Sequence, residues 1–149
     1  MTSTVEVYNP MSAYNSAINR LEKNGIRATK QRRVLAKLIF DKGKRHISAE
    51  NLFDEVKKDE RKISMATIYN TLKQFTNLGL IREIVVDQHK SLYCNNNQSH
   101  YHLYIEDEGK VIDIPTQNID LDIPSIPACL KLHDIDVIVR VRTLKDKNS

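Results

Sequence analysis

His100 and His102 stand two residues apart in a run predicted to be a strand, so both imidazoles leave the same face, with Tyr104 following. Asp113 joins them by parity. A two-residue turn at Asp107-Glu108 sets Asp113 opposite His102; a turn at Glu108-Gly109 sets it opposite Tyr104, again on the histidine face. Two imidazoles and a carboxylate suit a first-row divalent cation, Mn²⁺, Fe²⁺ or Zn²⁺, with Fe²⁺ and Mn²⁺ favoured as carboxylate content rises. Two surface histidines are the commoner source of an H-x-H strand, and the carboxylate is what tips the reading towards metal. His46 and Cys94 are further donors that the fold would have to bring in. The same trio would serve a small metalloenzyme as a facial triad. Against that reading, the sequence holds no second acid-base group at matched spacing, and the basic first half would be idle.

A different chemistry is written in Ser64–Ile81. Met65, Ile68, Leu72 and Phe75 form one apolar stripe, and Gly79 supplies the stop. The other face holds Thr67, Asn70, Thr71 and Gln74, flanked by Tyr69 and Lys73. Solubility alone is served by Glu and Lys, whereas Asn, Gln, Thr and Tyr can read base edges and thymine methyls. The charge agrees. Residues 1–89 carry 16 Lys and Arg against 10 Asp and Glu, while residues 90–149 carry 7 against 9. Between Arg20 and Arg45 ten cations face only Glu22 and Asp41, which suggests a polyanion partner, since each neutralised phosphate releases condensed counterions.

Periodicity shows what must position these groups. Residues 1–12 read as a flexible arm. Tyr14, Ile18 and Leu21 make a first helix closing at Asn24-Gly25; Thr29 caps a second with Val34, Leu35, Leu38 and Ile39 inward; Ser48 and Asn51 open a third with Leu52, Phe53 and Val56 inward. After the fourth helix, Ile81–Val86 and Lys90–Cys94 read as a hairpin around Asp87-Gln-His89. Three helices, a reading helix and a hairpin make a winged helix over 13–94, with the fourth helix in the major groove and the hairpin beside the phosphates. Residues 95–149 form a small dimerisation and effector domain: strands over His100–Glu106 and Lys110–Ile114, an irregular crossover over 115–129 with a helical turn near Ile119–Leu121, and a last strand over Leu130–Arg142. So long a strand on so small a domain suggests a sheet shared between two subunits. The fold class is α+β, a winged helix followed by a small α/β domain.

Composition reads as that of a soluble globular chain. The chain has 149 residues, 40% hydrophobic and 28% charged, with a mean hydropathy of −0.47. No apolar run approaches the ~18 residues of a membrane span, and the first twenty residues lack the pattern of a secretory signal. Two cysteines, Cys94 and Cys129, are too few for a disulfide scaffold, and the compartment reads as cytoplasm.

Gly25-Ile-Arg-Ala-Thr-Lys-Gln-Arg32, His46-Ile-Ser-Ala-Glu50, Ser64-Met-Ala-Thr-Ile-Tyr69, Gly79-Leu-Ile81, His100-Tyr-His102 and Gly109-Lys-Val-Ile-Asp113 resemble the ferric uptake regulator family from about residue 14 to 142. The nearest likeness is to its iron response regulator branch, with the peroxide-sensing PerR-like branch second. The resemblance implies a homodimeric repressor or activator that reads an AT-rich palindrome while a metal between the domains sets their angle. It implies metal ligands at His46, His100, His102 and Asp113, with a fifth, usually Asp or Glu, falling on Cys94, a softer donor. It implies DNA contacts from Arg27, Thr67, Tyr69 and Asn70, with Lys73 beside them. Ile105 and Glu108 stand where the family's structural zinc has cysteines, so that zinc is expected to be absent. Ser99 and Tyr101 stand where an auxiliary site has a His and an Asp. An N-terminal Cys-Pro haem motif is also lacking, so haem would have to use His100 and His102. The expected role is iron homeostasis, with peroxide sensing through the same ligands as the alternative.

Overall fold

A computed structural model of the chain describes residues 9–96 and 98–145. The chain divides into two units, Met1–Asn97 and Gln98–Ser149. The first contains α1 (Pro10–Lys23), α2 (Lys30–Phe40), β1 (His46–Ile47), α3 (Ala49–Lys58), α4 (Met65–Asn77), β2 (Arg82–Asp87) and β3 (Lys90–Cys94). Every helix starts on a side chain that accepts an otherwise orphaned N–H: Asn9 from Ser12, Thr29 from Arg32, Ser48 from Asn51 and Ser64 from Thr67. With Asn9 as cap and Pro10 at the first helical position, α1 takes in residues 10–12 of the expected arm. Residues 1–8 lie outside the described residues. α1 and α4 end as expected, on Gly25 (φ +72°) and Gly79 (φ +70°), where only glycine adopts the left-handed turn without strain.

The apolar stripes meet in one core, with Leu21, Leu35, Ile39, Leu52, Val56, Ile68, Leu72 and Phe75 almost completely buried and the Phe40 and Phe75 rings 6.4 Å apart. On α2 the buried set is Leu35, Ala36, Ile39 and Phe40; Val34 and Leu38 pack at its margin, a rotation of the expected stripe towards the C-terminal side. β2 and β3 form the hairpin, with an irregularity between Val85 and Asp87, and the two-residue β1 adds to the far side of β3. Asn95 follows β3 immediately and is buried. Its amide donates to the Ile39 and Gly43 carbonyls, both at 2.8 Å, and its oxygen accepts from the Arg45 N–H at 2.7 Å.

The second unit is a three-stranded sheet in the order β5-β4-β6, formed by β4 (His100–Ile105), β5 (Lys110–Pro115) and β6 (Ile138–Val141). β4 and β5 are antiparallel with His102 facing Asp113 and Ile105 facing Lys110, the first of the two registers the sequence allowed. β6 runs parallel to β4, with His102 paired to Ile138. Two expectations are corrected here. The single turn of helix is a 3-10 turn at Thr116–Asn118, earlier than expected, and the last strand covers Ile138–Val141 only. Ahead of that strand the Asp134 carboxylate takes the N–H of Ile135 at 2.8 Å, a local bond that competes with a ladder. Beyond it the Thr143 N–H goes to the Asp107 carboxylate and not to a neighbouring strand.

Candidate functional site

The second unit gathers three donor atoms. His100 and His102 project from the same face of β4 and are 7% and 4% exposed. Their Nε2 atoms are 2.9 Å apart, and Asp113 Oδ1 on β5 is 3.3 Å from His100 Nε2 and 3.5 Å from His102 Nε2. The rings meet edge to face, centroids 4.5 Å apart. His100 turns its Nδ1 to the Gln98 carbonyl. That carbonyl accepts Nδ1–H, which fixes the ring's orientation and leaves Nε2 as a lone-pair donor, the arrangement metal-ligating histidines adopt.

These spacings are those of a coordination shell. Four ligands at roughly 2.0–2.2 Å around a tetrahedral ion lie about 3.3–3.6 Å apart, and adjacent ligands of an octahedron about 3.0 Å. The three observed separations fall in that range, so one divalent ion fits the trio without a change of strand register. Haem fits less well, because two histidines on opposite sides of one iron put their nitrogens about 4 Å apart.

The first unit holds a second pair of donors. β1 sets His46 directly opposite Cys94 of β3, and facing residues of an antiparallel ladder share a side of the sheet. Cys94 is 1% exposed and His46 half-buried. Sequence spacing alone left this pairing open, since a two-residue strand has no periodicity to detect; the only signal was His46 standing just before the Ser48 cap. Cys129 is exposed.

The other surface is α4. Tyr69, 46% exposed, and Asn70 and Lys73, both exposed, lie on its outer side, with Thr67 half-buried and sharing a 3.0 Å hydroxyl contact with Ser64. Thr71, expected on this face, is instead buried, and its hydroxyl donates to the Thr67 carbonyl at 2.8 Å. Gln74 is half-buried and accepts from Arg32 Nε at 3.1 Å, so it joins α2 to α4. Tyr69 Oη–H donates to Glu50 Oε1 at 2.9 Å, a partnership that sequence reasoning missed. Burial pushes the Tyr93 hydroxyl on β3 up to about 12, with the Glu83 charge adding to the effect.

The basic run divides by role. Arg45 holds Glu55 at 2.7 Å with Lys42 at 3.1 Å, Arg33 reaches Glu22 at 3.5 Å, and Arg32 caps the Arg27 carbonyl at 2.7 Å. Arg20, Lys23, Arg27, Lys30, Lys37 and Lys44 remain exposed with no ion pair among the described residues. No helix among the described residues is long and apolar enough to cross a membrane.

The family model of the ferric uptake regulators matches residues 23–140. A peroxide-responsive repressor PerR of Staphylococcus saprophyticus is 31% identical over 104 residues, 70% of this chain and 70% of that protein. The PerR of a Staphylococcus aureus strain is 30% identical over 110 residues, 74% of each. Among solved structures, the Pseudomonas aeruginosa ferric uptake regulator with manganese superposes at a TM-score of 0.65 and 23% identity, covering 85% of this chain and 97% of that one. A zinc-bound manganese uptake regulator superposes at 0.58 and 28% identity, covering 86% and 98%.

Proposed function

We propose that this chain, which belongs to the ferric uptake regulator family, is a homodimeric transcription regulator whose hold on AT-rich operator DNA is governed by a divalent cation, in the service of iron homeostasis. Members of the family are metal-dependent regulators and not enzymes, which removes the metalloenzyme reading. The observation that carries the proposal is the meeting of His100, His102 and Asp113 at ion-shell distances on a buried face. By family resemblance His46 and Cys94 complete the ligand set. The thiol makes the set softer than one of nitrogen and oxygen alone, so Zn²⁺ competes with Fe²⁺ and Mn²⁺. When bound, a divalent ion would supply a positive charge for these donors to share; the side chains do the orienting, with the Gln98 carbonyl holding His100.

On the DNA side α4 enters the major groove with Tyr69, Asn70, Thr67 and Lys73 at base edges, while Arg27 and its exposed basic neighbours grip phosphates. A second copy covers the apolar side chains that the second unit leaves exposed, Ile112, Ile123 and Leu130 among them. The regulator works in the cytoplasm, where both thiols stay reduced.

Peroxide sensing is the second reading, favoured by the peroxide-responsive repressors among the relatives. One experiment separates the readings. The purified protein is titrated with Fe²⁺, Mn²⁺, Zn²⁺ and haem, and operator binding is measured for each form and for His102→Ala and Asp113→Ala. Metal-dependent operator binding lost in both variants supports the proposal; tight haem binding through His100 and His102 redirects it to haem. Histidine heavier by one oxygen atom after Fe²⁺ and peroxide supports sensing. A protein that holds no effector and binds promoter fragments no better than random duplex overturns the proposal.

A further inference from the structure

We infer that Glu50 sets the base preference of α4 by accepting the Tyr69 hydroxyl proton in a hydrogen bond, so that the phenol offers DNA an acceptor and not a donor. The inference rests on the operator-reading role proposed above. Tyr69 is 46% exposed on the outer side of α4, yet its hydroxyl is committed sideways to Glu50 Oε1 at 2.9 Å. Glu50 lies in the first turn of α3, where the positive end of the helix dipole favours an anion. Its carboxyl is held below the usual carboxylate range, first by a backbone hydrogen bond and then by Tyr69, with Lys90 of the hairpin adding to the effect. An ionised carboxylate has no proton to donate, so the polarity of this bond is fixed. The bond to Glu50 also holds the Tyr69 hydroxyl above its ordinary value, so it stays protonated.

The lone pairs left on Oη set the rest. In the major groove they match the amino groups of adenine N6 or cytosine N4, and they cannot satisfy thymine O4 or guanine O6 and N7, which need a donor. Asn70 can donate or accept and Lys73 can only donate. Among these readers Tyr69 is the one whose hydrogen-bonding sense is dictated by a side chain on another helix.

The test uses the full-length protein with Mn²⁺ and a library of randomised duplexes. Wild type is compared with Glu50→Gln, Glu50→Ala, Tyr69→Phe and the Glu50→Gln/Tyr69→Phe double variant. The base position whose preference is lost in Tyr69→Phe identifies the contact. There wild type should select adenine or cytosine; Glu50→Ala should lose about fivefold of that preference, the worth of one neutral hydrogen bond, and admit thymine or guanine, and Glu50→Gln, whose amide can either accept or donate, should lose a smaller part of it. In the Tyr69→Phe background the Glu50 change should alter nothing further at that position. A merely structural role for Glu50 would weaken binding to all duplexes alike. The inference is overturned if both Glu50 variants keep the wild-type preference, or if Tyr69→Phe loses none. Failure of wild type to select any sequence would overturn the operator-reading role as well.

Discussion

In residues 9–96 most of the buried side chains are hydrocarbon, Leu21, Leu35, Leu52, Ile68, Leu72 and Phe75 among them, and the few polar ones include Thr71 and Asn95, each hydrogen-bonded to backbone. In residues 98–145 they are His100, His102 and Tyr104, while Ile112, Ile123 and Leu130 are 50%, 53% and 64% exposed. The first unit therefore hides its apolar surface in its own core, whereas the second hides polar groups, which costs free energy unless they are partnered, and leaves apolar area to water. The first region has a core of its own; the second leaves apolar area that a partner surface would cover.

The most direct way to break this contrast is to separate the regions. Residues 1–97 alone should unfold cooperatively in urea, and residues 98–149 alone, as a metal-free monomer, should not; a cooperative transition in the latter would end the comparison. Next in size, Phe75→Ala should cost about 3–5 kcal/mol by denaturant titration, because it opens a cavity against Phe40 in a filled core. Metal should act on the other region: Mn²⁺ or Zn²⁺ at a hundred times its dissociation constant should add about 2.7 kcal/mol by calorimetry, and nothing in His102→Ala.

The smallest effect concerns pH and the first unit. Burial alone would raise the Glu55 carboxyl, but the Arg45 and Lys42 hydrogen bonds outweigh it and hold the group below its ordinary 4.5. A lowered folded-state value means that the contribution is present above 4.5 and is lost as pH falls through the lower value. Glu55→Gln should therefore flatten the acid side of the stability profile by under about 1 kcal/mol, with no change near neutrality beyond the loss of the pair.

What could be read in the sequence was whatever depends on neighbours along the chain. The caps Thr29 and Ser48 sit where expected because a side-chain oxygen reaching an N–H three residues on is a local event. The trio of His100, His102 and Asp113 was legible for the same reason, since strand parity and one tight turn determine it. The rest depends on contacts far along the chain. β1 exists only because β3 is beside it, so the pairing of His46 with Cys94 had no periodic trace. Alternation overstated the last strand chiefly ahead of Ile138, where the Asp134 carboxylate takes the Ile135 N–H that a ladder would use. Thr71 lies on the reading face by periodicity, but its hydroxyl turns onto the Thr67 carbonyl, and the hydrogen bond that Tyr69 donates to Glu50 joins two helices through residues nineteen apart.

Asn95 has a consequence of its own. By filling three backbone sites, one in the last turn of α2 and two in the loop that follows it, Asn95 works like a pawl on the end of β3. A slip of one residue along the ladder would strand all three partners and swing the preceding thiol to the opposite side, away from His46. Fidelity at that sulfur is thus guarded by an uncharged amide one peptide bond away, and errors of alignment are rejected before any ion arrives to detect them.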